Sequence, residues 1–309
     1  MLNSADLMNQ RCLVMGGSGF IGTNLCRALS GRVHTLKAFS RSPADIEGVE
    51  WIQGDYLNSD DIVRALEDVD VVFHLISTST PASSNADPLA DAQQNILQTL
   101  QLLEACRAKQ VKRVIFISSG GTVYGDAKVL PTPESHPEQP ICAYGISKLA
   151  IEKYLHLYER LYGITAIVLR VSNPYGPYQY ALKRQGVIGS FIAKALAGRP
   201  IEIWGDGSTV RDFIYIDDVI DALLKSVSYD GDFRVFNVGS GKGASLSEIV
   251  SVVSQVVRKD LRVAYAHSRP VDVEKNILDC TLVQKEFGWR AVNSLEEGFL
   301  KTVLWFSNV

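Results

Sequence analysis

A tyrosine and a lysine stand four residues apart in the run Ala143-Tyr144-Gly145-Ile146-Ser147-Lys148. On a helix, side chains with this spacing lie on the same face, about one turn apart. A phenol with its ordinary pKa of about 10 is a poor base at neutral pH, but a nearby ammonium favours the phenolate and lowers that pKa. The same spacing is common on solvated helix faces. The pair therefore indicates an acid/base centre only if the chain also supplies a cofactor and a substrate.

A glycine-rich turn between a predicted strand and a predicted helix indicates the cofactor. The apolar run Cys12–Met15 is followed by Gly16, Gly19 and Gly22, and then by a helical pattern through Leu29. Glycines let backbone amides approach a pyrophosphate at the helix N-terminus, where the helix dipole favours negative charge. In this strand–turn–helix context, the G-x-x-G-x-x-G spacing predicts dinucleotide binding.

The end of the second predicted strand, 33–39, bears on the choice between NAD and NADP. An NAD-preferring fold carries an acid there for the ribose 2′-hydroxyl. This chain instead has Ser40-Arg41-Ser42, and an arginine can bind a 2′-phosphate through charge-assisted hydrogen bonds. Arg41 could equally stack on adenine or point to water. We keep NAD and NADP as alternatives, and this feature slightly favours NADP.

Further predicted strands at 49–55, 69–75 and 111–119 alternate with helices, which predicts a parallel α/β sheet. Asp55 is placed either to accept from the adenine amine or to cap the next helix, and His74 reads as a packed strand residue. The stretch 77–87, rich in Ser, Thr and Pro, is predicted to be a loop at the sheet's carboxyl edge, where ligands bind. A long helix is predicted over 88–109, from which Asn95 could reach the nicotinamide or make a local polar contact.

Composition excludes several other classes. The 309 residues include 46% hydrophobic and 21% charged side chains, with a net charge of −3, which is typical of a globular protein and gives no support for nucleic-acid binding. Five scattered cysteines without C-x-x-C spacing indicate reduced thiols in a cytosol, and dispersed histidines predict no metal site. No apolar run approaches membrane-spanning length, so we expect no membrane insertion.

Taken together, these motifs make the chain resemble an extended short-chain dehydrogenase/reductase of the NAD-dependent epimerase/dehydratase family that acts on nucleotide sugars. The motifs that carry the resemblance are Gly16-to-Gly22, Asp55, Ser118-Ser119, Val123-Tyr124-Gly125, Tyr144-to-Lys148, Asn173-Pro174-Tyr175-Gly176, Gly205-Asp206-Gly207, Arg211-to-Asp218, Asn237-Val238-Gly239, Arg269-to-Asp272 and Phe287-Gly288-Trp289.

The resemblance implies a doubly wound parallel α/β sheet of the Rossmann type over residues 1–172. A smaller C-terminal α/β lobe over 173–309 would bind the nucleotide sugar, with parts of it returning to the Rossmann sheet. Tyr144 would be the acid/base on the sugar hydroxyl, and Lys148 would hold the nicotinamide ribose. The predicted cofactor-binding residues are Gly16, Gly19, Phe20, Ile21, Gly22, Arg41, Asp55, Tyr56, Leu75, Asn95, Ser118, Tyr144 and Lys148.

The resemblance also assigns substrate contacts in the C-terminal part. Asn173, Arg211 and Arg269 match positions that bind the diphosphate and nearby groups, and Asp272 matches a position near the uridine ribose. This agrees with the preference of phosphate oxygens for the forked donors of arginine. Arg211 could instead pair with its neighbours Asp212 or Asp217. A homodimer through the helices at 95–109 and 144–162 is the family expectation.

The chain departs from the family pattern before Val123-Tyr124-Gly125. The family places a Ser or Thr three residues before this motif, where it hydrogen-bonds the sugar O4, but here that residue is Gly120. Ser119 or Thr122 is the expected substitute. Sugar 4,6-dehydratases carry Thr-Asp-Glu at 120–122; without those acids, elimination lacks its general acid and base, which excludes that reaction.

Two enzymatic hypotheses remain. In a UDP-hexose 4-epimerase, acting on UDP-glucose or UDP-N-acetylglucosamine, hydride leaves and returns to C4 on a retained cofactor. In a reductase, NADPH delivers hydride once to a nucleotide-linked 4-keto-6-deoxy sugar. Family prevalence favours the epimerase, whereas Arg41 favours the reductase. A dinucleotide-sensing regulator is a remote alternative, because the Tyr144–Lys148 pair is intact.

Overall fold

Seven parallel strands form the central sheet of the computed structural model, which describes residues 7–179, 186–267 and 273–308. The strands are β1 (Arg11–Met15), β2 (Thr35–Ser40), β3 (Glu50–Gln53), β4 (Val71–His74), β5 (Arg113–Ser119), β6 (Thr165–Val171) and β10 (Val235–Val238). Their spatial order is β10-β6-β5-β4-β1-β2-β3. The central strands are buried on both faces, as parallel sheets require.

Helices cover both faces of this sheet, and two apolar clusters lie between them and the strands. This is the doubly wound α/β fold that the sequence predicts. The helices in the first part of the chain are Phe20–Leu29, Ser59–Ala65, Pro81–Ala86, Pro88–Asp91, Gln98–Ala108 and Ala143–Tyr162; those in the second part are Val187–Leu196, Ile216–Ser226, Leu246–Val257, Thr281–Phe287 and Leu295–Ser307. None of the helices in the described ranges is long and apolar enough to cross a membrane.

The C-terminal part of the chain adds two small sheets beside the carboxyl edge of the large one. In the first, β9 (Val210–Tyr215) lies between β11 (Gly243–Ser245) and β13 (Lys275–Asn276) and also pairs with β7 (Asn173–Tyr175). In the second, β8 (Ile201–Trp204) pairs with β12 (Val263–Ala266). Because β10 returns to the edge of the large sheet, the two parts of the chain are interleaved.

The segment 77–87, predicted as a loop, contains the short helix Pro81–Ala86. The side chains of Thr80 and Ser83 form a reciprocal capping box at its start, and Pro81 occupies the first helical position, where its missing N–H costs nothing. The long helix predicted over 88–109 is also divided, because a π-helical turn spans Ala92–Leu97. The helix Pro81–Ala86 could not be predicted, because its serine- and proline-rich composition is typical of loops and shows no helical periodicity of apolar residues.

The helix that carries Tyr144 and Lys148, Ala143–Tyr162, begins without a side-chain cap of its own at Cys142. Its first N–H groups are satisfied from the short helix instead. Ala143 N donates to Asn85 Oδ1 at 2.9 Å, and Tyr144 N donates to Ser84 Oγ at 2.9 Å. These contacts satisfy donors that a helix start leaves unpaired, so the Pro81–Ala86 helix holds the start of the Tyr144 helix.

Candidate active site

The carboxyl ends of the central strands and the C-terminal sheets enclose a cleft of about 1620 Å³. Drug-sized ligands occupy pockets of roughly 300–1,000 Å³, so this cleft has room for two ligands side by side. Its walls include the glycine turn, Arg41, Asp55, Tyr144, Lys148, Asn173 and Arg211. The fold therefore brings the predicted dinucleotide turn, the acid/base pair and part of the predicted substrate site to one place.

The glycine turn has the close backbone packing that a pyrophosphate site needs. Gly16 has φ +89°, and a Cβ on Gly22 would lie 2.1 Å from Gly16 O. Gly19 precedes the helix Phe20–Leu29 and provides no side-chain cap, so the first-turn N–H groups face the cleft's end without a side-chain acceptor. Such a helix start binds anions. Gly16, Gly19, Phe20, Ile21 and Gly22 all line the cleft.

The predicted adenosine end is formed by residues at the ends of β2 and β3. Arg41, Asp55 and Tyr56 line the cleft here. Asp55 Oδ1 accepts from Leu57 N at 3.0 Å, which fixes the carboxylate without capping the next helix; Asn58 has that role. The Tyr56 hydroxyl lies 3.2 Å from Thr99 Oγ1, and burial raises its pKa.

The middle of the cleft differs in part from the sequence prediction. Leu75 and Ser118 line it, but the Ser118 hydroxyl donates to Glu152. Asn95 does not line it. Its Oδ1 accepts from Thr78 N at 3.0 Å and its Nδ2 donates to Asp91 Oδ1 at 3.0 Å, so its side chain holds the 77–79 segment instead of facing the nicotinamide side. Of the two roles weighed for Asn95, the geometry favours the local polar contact.

Tyr144 and Lys148 lie side by side, and the hydrogen bond of Lys148 goes to the backbone. Lys148 Nζ donates to Ile117 O at 2.9 Å and lies 5.6 Å from the centre of the Tyr144 ring. Burial lowers the pKa of Lys148 to about 8, against the charges of Glu152 and Asp91. Burial also raises the pKa of Tyr144 to about 12, against a hydrogen bond from the Ser77 side chain. Desolvation thus exceeds the expected lowering of the phenol pKa by lysine.

A buried carboxylate, which sequence reasoning missed, supports this pair. Asp91 is 3% exposed and accepts from Ser147 Oγ at 2.5 Å, from Asn95 Nδ2 and from the Ser79 hydroxyl. Ser147 lies between Tyr144 and Lys148 on their helix. Asp91 therefore connects the 77–79 segment to the helix that carries Tyr144. Only its position shortly after a proline marked it in the sequence, and that is no signal of function.

Two of the predicted substrate contacts line the cleft. Asn173 lines the cleft and donates through Nδ2 to Asp212 O at 3.0 Å. Arg211 also lines it and donates to Val210 O at 3.0 Å. Asp212 accepts instead from Ser240, Gly241 and Leu278. Arg269 and Asp272 lie outside the described residues.

Trp204 is a cleft residue that the sequence analysis did not single out. Its indole is 39% exposed, and Nε1 donates to Glu202 Oε1 at 2.8 Å. A flat indole held in this way at the wall of a cleft offers a stacking surface for a nucleobase. Its position directly before Gly205-Asp206-Gly207 was the signal that could have found it.

His74 is buried in the sheet beside Thr99. His74 Nε2 lies 3.0 Å from Thr99 Oγ1, and burial lowers its pKa to about 3, so the imidazole is neutral. This agrees with a packed strand residue. Within residues 7–179, 186–267 and 273–308, no group of three His, Cys, Asp or Glu side chains is arranged to hold a metal ion.

Gly120 has no space for the hydroxyl that the family carries there. A Cβ on Gly120 would lie 2.5 Å from Leu278 Cδ1 and 3.0 Å from Arg170 O. We expect Gly120→Ser to destabilise the protein by about 1–3 kcal/mol, because overpacking forces neighbours to move, and to add no activity. Thermal unfolding measures the effect. Gly121→Ser is the matched control, since its Cβ would lie 3.9 Å from the nearest atom. Equal stability of the two variants would contradict the packing argument.

Comparison with known proteins identifies what this arrangement resembles. Residues 12–239 match the NAD dependent epimerase/dehydratase family. The chain is 33% identical to the UDP-glucose 4-epimerase of Mycolicibacterium smegmatis, over 96% of this chain and 99% of the relative. It is 30% identical to the dTDP-4-dehydro-6-deoxyglucose reductase of Escherichia coli, over 96% of this chain and 98% of the relative.

Solved structures resemble the whole described fold. The UDP-glucose 4-epimerase of Thermotoga maritima with UDP-glucose superposes with a TM-score of 0.92 at 36% identity, covering 96% of this chain and 99% of that one. The UDP-glucose 4-epimerase of Thermus thermophilus in complex with NAD has a TM-score of 0.88 at 30% identity, with coverages of 96% and 99%.

Proposed function

The chain belongs to the NAD dependent epimerase/dehydratase family, and from that premise we propose that it is an NAD-dependent 4-epimerase of UDP-hexoses such as UDP-glucose or UDP-N-acetylglucosamine. The observation that carries the proposal is the cleft that holds the glycine turn, the Tyr144–Lys148 pair and the arginine-bearing substrate side. Relatives and solved structures with the same architecture are named as UDP-glucose 4-epimerases.

The residues present fit a dinucleotide. The helix that starts after Gly19 has no side-chain cap, and the backbones of Gly16 and Gly22 lie too close together for a side chain at 22. An anion such as a pyrophosphate can therefore approach the backbone there. We propose that Phe20, Ile21, Gly22, Arg41, Asp55, Tyr56, Leu75 and Ser118 line its site. When bound, an oxidised nicotinamide cofactor would supply the hydride acceptor for the sugar. Lys148 orients the ribose, and its ammonium favours the phenolate of Tyr144.

Tyr144 takes the proton from the sugar O4 as C4 is oxidised. The 4-keto sugar then turns over in the cleft, and Tyr144 returns the proton to O4 when C4 is reduced on its other face. Asn173, Arg211 and Arg269 hold the nucleotide diphosphate during this rotation. Asp272 binds near the uridine ribose, and Trp204 stacks on the base. The absence of carboxylates at Gly120-Gly121-Thr122 leaves elimination of water without a general acid or base.

A second candidate is a reductase of a nucleotide-linked 4-keto-6-deoxy sugar that uses NADPH. Two observations favour it: the E. coli relative is named as such a reductase, and Arg41 stands at the predicted adenosine end of the cleft, where a guanidinium can bind a 2′-phosphate. It requires the same Tyr144, acting once as a proton donor. The dinucleotide-sensing regulator would need neither step.

The experiment that separates these functions begins with the purified protein and identification of its bound nucleotide. UDP-glucose, UDP-N-acetylglucosamine and a dTDP-4-keto-6-deoxy sugar are then offered. Interconversion of a UDP-hexose and its C4 epimer without added cofactor is the expected result. Stoichiometric consumption of NADPH with the keto sugar, and no interconversion, would overturn the epimerase in favour of the reductase.

We also propose a homodimer, and we keep the cytosolic location predicted from the cysteines. One face of the helix Ala143–Tyr162 exposes Ile146, Leu157 and Leu161 by 54%, 41% and 58%, and their spacing places them on one stripe. Leu97, 53% exposed, lies on the neighbouring π-helical turn. An exposed apolar stripe of this kind is typical of an interaction surface. A second copy of the chain would cover it.

A further inference from the structure

The cleft needs a hydroxyl beside Tyr144, and Gly120 cannot supply it. Any side chain at 120 meets Leu278 and the backbone of Arg170. Asn276 Nδ2 also donates to Gly120 O at 2.9 Å, so the backbone there is held in place and cannot easily retreat to make room. If the proposed function is right, another residue must donate to the reacting oxygen as charge develops on it.

Among the described residues, neither expected substitute makes a hydrogen bond to the phenol. Thr122 is absent from the cleft wall, and its hydroxyl is buried without a hydrogen-bond partner among the described residues. Its backbone packs under the catalytic helix, since a Cβ on Gly145 would lie 2.7 Å from Thr122 O. Ser119 does line the cleft, but its carbonyl holds the Thr122–Val123 turn, and in the described part of the chain its hydroxyl makes no hydrogen bond to Tyr144.

Ser77 is a third hydroxyl of the cleft, and it acts on the phenol. It follows β4 at the carboxyl edge of the sheet and lines the same cleft as Tyr144. Its side chain acts on the Tyr144 phenol and lowers the pKa of that phenol, and its Oγ donates to Ser79 O at 3.2 Å. A serine hydroxyl rotates freely and has one proton and two lone pairs, so it can turn from Ser79 towards an oxygen placed beside Tyr144.

The position of Ser77 is fixed relative to the catalytic helix. Asn95 holds Thr78 N at 3.0 Å, and the Ser79 hydroxyl donates to Asp91. The same Asp91 accepts from Ser147, between Tyr144 and Lys148. The two residues after Ser77 are thus tied to the Tyr144 helix through one buried carboxylate. A side chain held in this way keeps its geometry when substrate enters.

We propose that Ser77 is the catalytic hydroxyl that donates a hydrogen bond to the reacting oxygen of the sugar, in place of the family's residue at 120. This rests on the proposed function. The sugar hydroxyl proton passes to Tyr144, and Ser77 keeps its own proton while its hydrogen bond stabilises the developing charge. The ligand class is a secondary hydroxyl that becomes a carbonyl.

The test compares Ser77→Thr with Ser77→Val, two side chains of the same shape of which only threonine keeps the hydroxyl. Removal of one such donor lowers kcat by about 10²-fold or more, so we expect the valine variant to be about 10²-fold slower than the threonine variant, with KM little changed. The increase of kcat with pH should also occur at a higher pH in the valine variant than in the threonine variant. Ser119→Ala and Thr122→Val test the two competing hydroxyls, and a loss of kcat in either of them as large as that in Ser77→Val would contradict the proposal.

A second measurement needs no turnover. Tyrosine labelled with ¹³C at the ring carbon that bears the hydroxyl gives a resonance for residue 144, assigned by its loss in Tyr144→Phe. We expect this resonance to differ between Ser77→Val and Ser77→Thr. Identical resonances, or equal kcat of the two Ser77 variants, would overturn the proposal. A wild-type protein that shows no turnover but a shifted resonance would overturn the proposed function and keep the contact.

Discussion

Tyr144→Phe is expected to lower kcat by about 10³-fold, because proton transfer by a positioned side chain contributes typically 10²–10⁴-fold. Phenylalanine keeps the ring that packs beside Lys148 Nζ and removes only the oxygen that takes and returns the proton. We therefore expect KM to change little, since the loss is confined to the transition state. Steady-state kinetics at saturating UDP-hexose measures kcat. If the protein is instead the keto-sugar reductase, its rate of reduction should fall by the same factor.

Tyr154→Phe is the control for this change. Tyr154 lies on the same helix and is 37% exposed, so loss of its hydroxyl should leave kcat unchanged. Both variants should unfold at the wild-type temperature. If Tyr144→Phe kept its turnover within a few-fold of wild type, the acid/base role would be wrong and the non-catalytic regulator would become the better hypothesis.

Glu152→Ala is expected to cause the largest loss of stability among the single substitutions considered. Glu152 is 4% exposed, and its carboxylate accepts from the guanidinium of Arg170, itself 1% exposed, with a shortest distance of 2.5 Å. Breaking a buried ion pair by removing one partner costs about 3–5 kcal/mol, because the other charge stays buried. Glu138 remains bonded to the same guanidinium, so we expect the free energy of unfolding to fall by about 3 kcal/mol.

Urea unfolding compares this variant with Asp221→Ala as the control. Asp221 pairs with Lys225 one helical turn away and is 48% exposed, and exposed pairs of this kind contribute about 0.3–0.5 kcal/mol. The Glu152 variant should therefore unfold at a clearly lower urea concentration. Equal midpoints would mean that Glu138 alone compensates the buried guanidinium.

The sheet, the glycine turn and the position of Tyr144 could be predicted because each depends on local pattern. The buried strands are nearly continuous apolar runs, and the glycines are needed where the backbone of Gly16 approaches Gly22. These features need only neighbours in the sequence. The confirmed family assignment adds the order of the later motifs.

The features that could not be predicted depend on residues far apart in the chain. Leu278 fills the space beside Gly120, 158 positions away, and no local pattern shows this. Asn95 turns inward because Asp91, on the preceding turn, accepts from its amide. The helix Pro81–Ala86 is held by its capping box and by its contact with the catalytic helix, whereas its composition is that of a loop.

The Pro81–Ala86 helix supports the start of the Tyr144 helix, and this support restricts how the length of the chain can vary here. Ser84 and Asn85 at one end, and Asp91 at the other, meet the Tyr144 helix at fixed positions. The number of residues between β4 and Asp91 therefore sets the position of the Tyr144 helix relative to the cleft. Surface loops elsewhere tolerate added residues. One residue inserted in this segment would instead shift Tyr144 within the cleft, and we expect it to lower activity as a substitution of a site residue does.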